Sequence, residues 1–217
     1  MIKLHVVTAA NRHLYDKEME EFLRLRHDMF AKERHWVPED ESGQETDAFD
    51  TNDATYLLGL EDGAVITSAR LIPTALPHLV SENFESLCER GLPRRWDWAE
   101  WTRTMVVPSR RGGGHKGVTG ILTVGVMEYC LEEGIDRVGG VQEFYHLTRY
   151  AELGWDTEVL GLPQDFNGER YVVAYCKCGE AELATARKVT GVDYPVLARR
   201  GEQRPFIPTD QHPQPGA

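Results

Sequence analysis

Two arginines sit where the chain's own periodicity calls for apolar side chains, and this constrains the fold more than any other feature of the 217 residues. From about Asn11 to Lys32, Tyr15, Met19, Phe22, Met29 and Phe30 recur at helical spacing, which predicts a helix with one core-facing stripe. Arg26, four residues after Phe22 and four before Phe30, lies on that stripe. In AVITSARLIP, alternation puts Arg70 on the strand face shared by Ile66 and Ile72. A guanidinium buried there requires an anion; the alternative for Arg26 is a packed stem with its head reaching out to water. The segment GQETDAFDTND offers anions, because Glu45, Asp47, Asp50 and Asp53 crowd into it with no Lys or Arg between Arg34 and Arg70. An ordinary solvated acidic loop has little use for Trp36 and Phe49 beside it. The acidic spacing also lacks the alternate-residue pattern of a calcium loop, so no metal is expected.

The remaining pattern alternates strands and helices. IKLHVV reads as a strand, TYLLGLED and AVITSARLIP as a hairpin turning at Asp62 and Gly63, and WAEWTRTMVVP as a further strand. Val118 to Glu133 reads as an amphipathic helix stopped by Gly134, followed by a strand at RVGGVQEF and a short helix from Leu147 to Glu152. Strands near TEVLGLP and RYVVAYCKC and a helix around Ala181 to Lys188 complete a layered α/β domain with a mixed sheet, expected over residues 1–194. Residues 195–217 hold five of the eleven prolines, which predicts an extended, flexible tail.

With 41% apolar and 27% charged residues, the chain has enough apolar side chains for a proper core. Its formal charge, 24 − 35 = −11, disfavours nucleic acid and anionic membranes as partners. No run of 18 apolar residues and no signal-like stretch occurs, so a cytoplasmic protein without stable membrane association is expected. Cys88 and Cys130 stand alone and Cys176 and Cys178 share a strand face, which reads as reduced core thiols rather than a metal site.

In WAEWTRTMVV, Glu100 and Arg103 are three apart, an offset that sends them to opposite faces of a regular strand unless a bulge intervenes. Arg26, Arg70 and Arg103 would balance Glu45, Asp47 and Asp50, leaving Glu100 as a carboxylate able to accept a proton. Structural ion-pair networks produce the same pattern without any catalysis. SRRGGGHKG, just before the Val118 helix, sets Arg110, Arg111 and Lys116 at a helix N-terminus, an arrangement that suits a phosphate and that an ordinary flexible loop also shares.

Taken in order, several of these residues resemble the autoinducer synthases that make N-acyl-homoserine lactones. The matching pieces are R-H-D-M-F at Arg26 to Phe30, Trp36, E-T-D-A-F-D at Glu45 to Asp50, S-A-R-L-I-P-T at Ser68 to Thr74, Phe84, and E-W-T-R at Glu100 to Arg103. The resemblance runs from the first helix to about Ala174 and implies an N-acetyltransferase-like fold, a three-layer α-β-α arrangement whose mixed central sheet is splayed to admit an acyl thioester. It implies S-adenosylmethionine near Arg26, Phe30 and Trp36, with Asp47, Asp50, Arg70 and Arg103 as the charge network and Phe84 in the acyl pocket. The implied reaction has two parts: the amine of S-adenosylmethionine attacks the thioester, then its carboxylate closes a lactone and expels methylthioadenosine. Glu100 is the expected base, with Glu45 as the alternative.

Many relatives carry a small aliphatic residue and serine where this chain has Trp101 and Thr102, and a Trp there resembles relatives that accept branched acyl-CoA. The stretch Glu143 to Trp155 matches the family's acyl-chain region but is unusually aromatic at Phe144 and Tyr145. A short, branched or aryl acyl group is therefore expected, with ordinary core packing as the alternative for these aromatics. The donor is expected to be acyl-CoA, its phosphates held by Arg110, Arg111 and Lys116, because a chain of charge −11 offers an acidic acyl carrier protein no obvious docking face. No resident cofactor is expected. An N-acyltransferase for another amine would release no methylthioadenosine, and a non-catalytic thioester- or nucleoside-binding regulator would release no product at all.

Overall fold

Residues 1–166 and 168–211 are described by a computed structural model. Strand β1 (Lys3–Val7) leads through a 3₁₀ turn (Arg12–Leu14) to helix α1 (Asp16–Arg26) and a π-helical turn (His27–Glu33). Then come β2 (Thr55–Glu61), β3 (Ala64–Pro73), the short α2 (Leu79–Asn83), β4 (Trp98–Val106) and α3 (Val118–Glu132). The second half runs β5 (Arg137–Glu143), α4 (His146–Glu152), β6 (Thr157–Val159), β7 (Gln164–Phe166), β8 (Glu169–Lys177), α5 (Glu180–Thr190) and β9 (Leu197–Ala198). The strands form one mixed sheet in the order β6-β8-β5-β4-β3-β2-β1-β9, with β7 also on β8. Asp62 and Gly63 both take positive φ, 52° and 83°, and turn β2 into β3 as expected of a tight hairpin.

Alternation divides each strand between two apolar layers. Leu4, Val6, Leu57, Ala69, Leu71, Ala99 and Val138 pack with residues of α3 and α5, whereas Val7, Tyr56, Leu58, Ile72 and Met105 cluster with Met19 and Phe22 of α1. Around α2, Val80 joins Trp98, Val173 and Tyr175. The result is the three-layer α-β-α architecture. Among the described residues no helix is long and apolar enough to cross a membrane, and no group of three or more His, Cys, Asp or Glu is arranged to hold a metal ion. All four cysteines are free and buried.

The parallel neighbours β4 and β5 pair only where Trp98, Ala99 and Glu100 face Arg137, Val138 and Gly139. Beyond Glu100 the strands part, β4 staying with β3 and β5 with β8. This fork is the expected splay, and Glu100 stands at its vertex.

Three expectations change. The helix anticipated from Asn11 to Lys32 is interrupted at Tyr15 and widens into the π turn, where Arg34 N–H bonds the carbonyl of Met29. Helix α3 is not amphipathic: eleven of its fifteen residues are buried, because the sheet, α5 and the returning C-terminal segment enclose it. The tail is not free after Tyr194. Leu197 and Ala198 pair with Leu4 and His5, Phe206 and Ile207 enter the core, and Arg204 bridges to Asp53 at 2.6 Å. Apolar Phe206 and Ile207, few against many prolines, suffice to anchor it. The part of the expected tail beyond Gln211 lies outside the described residues.

Candidate active site

Between Ser68 and Arg70, β3 advances two residues while β4 runs three, from Met105 to Thr102. The extra residue is a bulge at Arg103, whose φ of 50° is uncommon for a non-glycine residue. The bulge removes the odd offset, so that Arg103 turns to the same face as Glu100, Thr102 and Arg70. The strain is held by a hydrogen bond from Ser68 Oγ to the Arg103 carbonyl, 2.9 Å.

There the three arginines meet the acidic segment. Arg26, completely buried, donates from Nε to Glu45 and from both terminal nitrogens to Asp50 at 2.8 and 3.0 Å. Arg70, also completely buried, holds Asp47 at 2.6 and 2.8 Å and Asp50 at 2.9 Å, while its Nε donates to Thr102 Oγ1 at 3.1 Å. Arg103 reaches Glu45 at 2.8 and 3.1 Å and Asp47 at 2.6 Å. Tyr56, directly opposite Arg70 in the register, donates to Asp50 at 2.7 Å. Three guanidinium and three carboxylate groups thus cancel in a nearly dry site. Burial alone would push the Asp47, Asp50 and Glu45 carboxyls up, but the arginine hydrogen bonds and charges hold all three below their usual range.

Glu100 is different. It is fully buried, pairs with none of these arginines, and accepts the amide N–H groups of Leu79 at 2.9 Å and Val80 at 2.7 Å. Burial raises its pKa above the ordinary glutamate value. In one row across the sheet, Glu100 faces Gly139 and Gly139 faces Tyr175. Gly140, at φ 149°, leaves room beside the carboxylate, since a Cβ there would lie 3.3 Å from Glu100 Cγ.

Around the network, Phe30 stacks on Trp36 with centroids 5.8 Å apart, and Arg103 lies over Phe30 at 5.2 Å. Trp36 is 51% exposed, whereas Arg26 lies behind its carboxylates with no exposed surface. Arg34, which the sequence reading passed over, covers Trp36 and reaches Glu143 at 3.1 Å, tying the segment after the π turn to the end of β5.

The four expected acyl-pocket residues are not brought together. Phe84 packs in the α2 cluster against Phe166, while Trp101, one residue on from Glu100, points to the opposite sheet face with α3. Phe144 and Tyr145, 40% and 46% exposed, lie in the turn between β5 and α4 beneath Arg170 and Arg149. Their aromatic surface is spent on cation contacts rather than on an enclosed wall. Arg110 pairs with Glu61 and Arg111 with Glu33 at 2.6 and 2.8 Å, and Lys116 is exposed in the 3₁₀ turn Gly114–Lys116 before α3. Such exposed pairs are weak enough to exchange for a phosphate.

A model of the autoinducer synthase family matches residues 10–185. The isovaleryl-homoserine lactone synthase of Bradyrhizobium diazoefficiens is 41% identical over 162 residues, 74% of this chain and 73% of that protein. The acyl-homoserine-lactone synthase of Pectobacterium carotovorum subsp. carotovorum is 26% identical over 180 residues, 81% of this chain and 83% of that protein. Among solved structures, the CoA-dependent acyl-homoserine lactone synthase BjaI, with SAM and isopentyl-CoA, matches at TM-score 0.89 and 33% identity over 95% of this chain and 97% of that one. A structure described as an N-acetyltransferase from Lactobacillus plantarum, 18% identical, matches at TM-score 0.54 over 82% of this chain and 99% of that one, a likeness of fold alone.

Proposed function

The chain belongs to the autoinducer synthase family, and from that premise we infer how its site makes an acyl-homoserine lactone from S-adenosylmethionine and acyl-CoA. The enzyme transfers the acyl group to the amine of S-adenosylmethionine and then lactonises the product with release of methylthioadenosine. The observation that carries the mechanism is the division of labour among four carboxylates. Glu45, Asp47 and Asp50 are neutralised by arginines, and only Glu100, at the fork vertex, has a pKa raised by burial.

Amine attack requires a free base, so a carboxylate must take a proton from nitrogen, and efficiency improves as its pKa approaches the working pH. Glu100 meets that requirement better than Glu45, whose two arginines hold its protons off. The charge network of Arg26, Arg70, Arg103, Glu45, Asp47 and Asp50 forms a rigid floor. Above it the half-exposed Trp36, backed by the buried Phe30, supplies aromatic surface suited to a sulfonium and its adenosine. Lactone closure then needs mainly positioning: the carboxylate oxygen attacks the γ-carbon, the C–S bond breaks, and a neutral thioether leaves without a proton transfer.

The acyl-CoA lies in the fork, with Arg110, Arg111 and Lys116 near its phosphates and the acyl end toward Phe84. The packed cluster around Phe84 favours a short or branched group over a long straight chain. Both substrates are intracellular metabolites, which sets the reaction in the cytoplasm.

The test is incubation of the purified protein with S-adenosylmethionine and straight, branched and aryl acyl-CoA thioesters, following lactones and methylthioadenosine by mass spectrometry. Both products with a short or branched thioester are expected. An acylated amine without methylthioadenosine would instead identify a plain N-acyltransferase, and binding without product a regulator.

A further inference from the structure

Substrate and product of the lactone-closing step share a group. The adenosine of S-adenosylmethionine leaves unchanged in methylthioadenosine, while the C–S electron pair stays on sulfur and turns a sulfonium into a neutral thioether. Contacts that hold the adenosine of the substrate therefore hold that of the product, and product release often limits turnover. A site built on aromatic surface needs a means of letting go.

Beside the charge network four side chains stand in series. Arg103 lies over Phe30 at 5.2 Å, Phe30 stacks on Trp36 at 5.8 Å with 12° between the ring planes, and Arg34 lies over Trp36 at 5.1 Å. Each end of the series is a guanidinium held by carboxylate: Arg103 by Glu45 and Asp47, Arg34 by Glu143 at 3.1 Å. The two ends are not held equally. Arg103 is 11% exposed and meets two carboxylates, whereas Arg34 is 37% exposed and meets one among the described residues. Arg34 is the member of the series that can move.

The backbone brings this guanidinium and indole together. The N–H groups of Arg34 and Trp36 return to the carbonyls of Met29 and Phe30, each at 2.9 Å, and His35 between them takes a φ of 53°, uncommon for a non-glycine residue. His146 Nε2 lies 3.7 Å from the second Glu143 oxygen, but burial pushes its pKa down to about 4, so near neutral pH it is uncharged and Arg34 is the cation there.

A cation is best placed over an aromatic ring within about 6 Å of its centroid. At Trp36 that place is taken by Arg34, and a sulfonium cannot share it, because like charges so close repel. Resting on the reading of Trp36 as the aromatic surface for S-adenosylmethionine, we propose that Arg34 is an autoinhibitory residue: its guanidinium occupies the Trp36 ring between turnovers, yields it to the incoming nucleoside and, on returning, drives methylthioadenosine out. The displaced guanidinium stays with Glu143, since a carboxylate only 10% exposed needs its cation. It thus remains poised beside the ring it left. The cost falls on substrate as well as product, and somewhat more on the substrate, whose sulfonium the guanidinium repels.

The sign of the effect is the test, because removing a side chain that occupies the ring tightens binding, whereas removing one that holds the nucleoside loosens it. With folding verified by thermal unfolding, Arg34→Ala is expected to lower the Kd of methylthioadenosine about tenfold by calorimetry, and that of S-adenosylmethionine by at least as much. Accumulating methylthioadenosine should then inhibit lactone formation at about tenfold lower concentration. Arg34→Lys, which keeps the cation but not the planar guanidinium, should fall between Arg34→Ala and the unmutated enzyme. Weaker or unchanged binding of both nucleosides to Arg34→Ala, alongside lost binding in Trp36→Ala, would overturn this proposal alone. Undiminished binding to Trp36→Ala would overturn the reading of Trp36 as the nucleoside's aromatic surface. Should Arg34→Ala fail to fold, Arg34→Lys decides: tighter binding of methylthioadenosine is expected, and unchanged or weaker binding refutes the autoinhibitory contact.

Discussion

A carboxylate's role here is set by what shares its pocket. Glu45, Asp47 and Asp50 face guanidinium groups and stay ionised well into acid, while Glu100 faces backbone amides and apolar side chains. Glu100→Gln should therefore lower the rate of amide formation by about 10²- to 10⁴-fold, measured as acylated product, with S-adenosylmethionine binding by calorimetry retained. Because Glu100, as the proposed base, must be ionised and burial raises its pKa, activity should rise with pH through a value above that of free glutamate. The network carboxyls behave oppositely in stability. Their folded pKa values are depressed, so the stabilisation is complete above the unfolded values and is lost as pH falls through the folded ones. Asp50→Asn leaves Arg26 and Arg70 short of an anion and should cost about 3–5 kcal/mol, read from urea unfolding at neutral pH.

At the scale of elements, the fork and the bulge place the chemistry. The fork has no strong sequence signature: β4 and β5 pair only as far as Glu100 and Gly139, while β5 stays with β8. Gly140→Ala puts a Cβ against Glu100 Cγ in a backbone region that alanine avoids. It should cost about 1–3 kcal/mol and reduce turnover more than substrate binding, which a split of kcat from KM would reveal. The glycine-rich turn before α3 is a separate module. Replacing Arg111 and Lys116 by alanine should raise KM for acyl-CoA roughly tenfold, leave KM for S-adenosylmethionine unchanged, and weaken the salt dependence of the former.

Over the whole molecule, the chain closes on itself. After α5 it returns along β1 and covers α3, and the buried Glu128 accepts the amides of Val196 and Leu197 at 2.9 and 3.3 Å. Phe206 stands edge-on to Tyr129, 6.2 Å between centroids. Phe206→Ala should destabilise the enzyme by about 3–5 kcal/mol, measured by thermal unfolding, although it lies far from the fork. That result would separate the C-terminal segment's structural role from catalysis.

By itself the sequence determined the layered α/β class, the hairpin at Asp62 and Gly63, and the need to bring Arg26 and Arg70 to the acidic run. Each follows from local periodicity, or from the cost of burying an unpaired charge. Glu100 and Arg103 were legible as a pair in need of a bulge, because their offset contradicts strand alternation. The tertiary structure alone decided which carboxylates are neutralised, where Trp101 and Phe84 point, that Phe144 and Tyr145 are exposed, and that the proline-rich segment is anchored. Those outcomes depend on which distant segments share one buried space, and burial and charge pairing are properties of that space rather than of any stretch of chain.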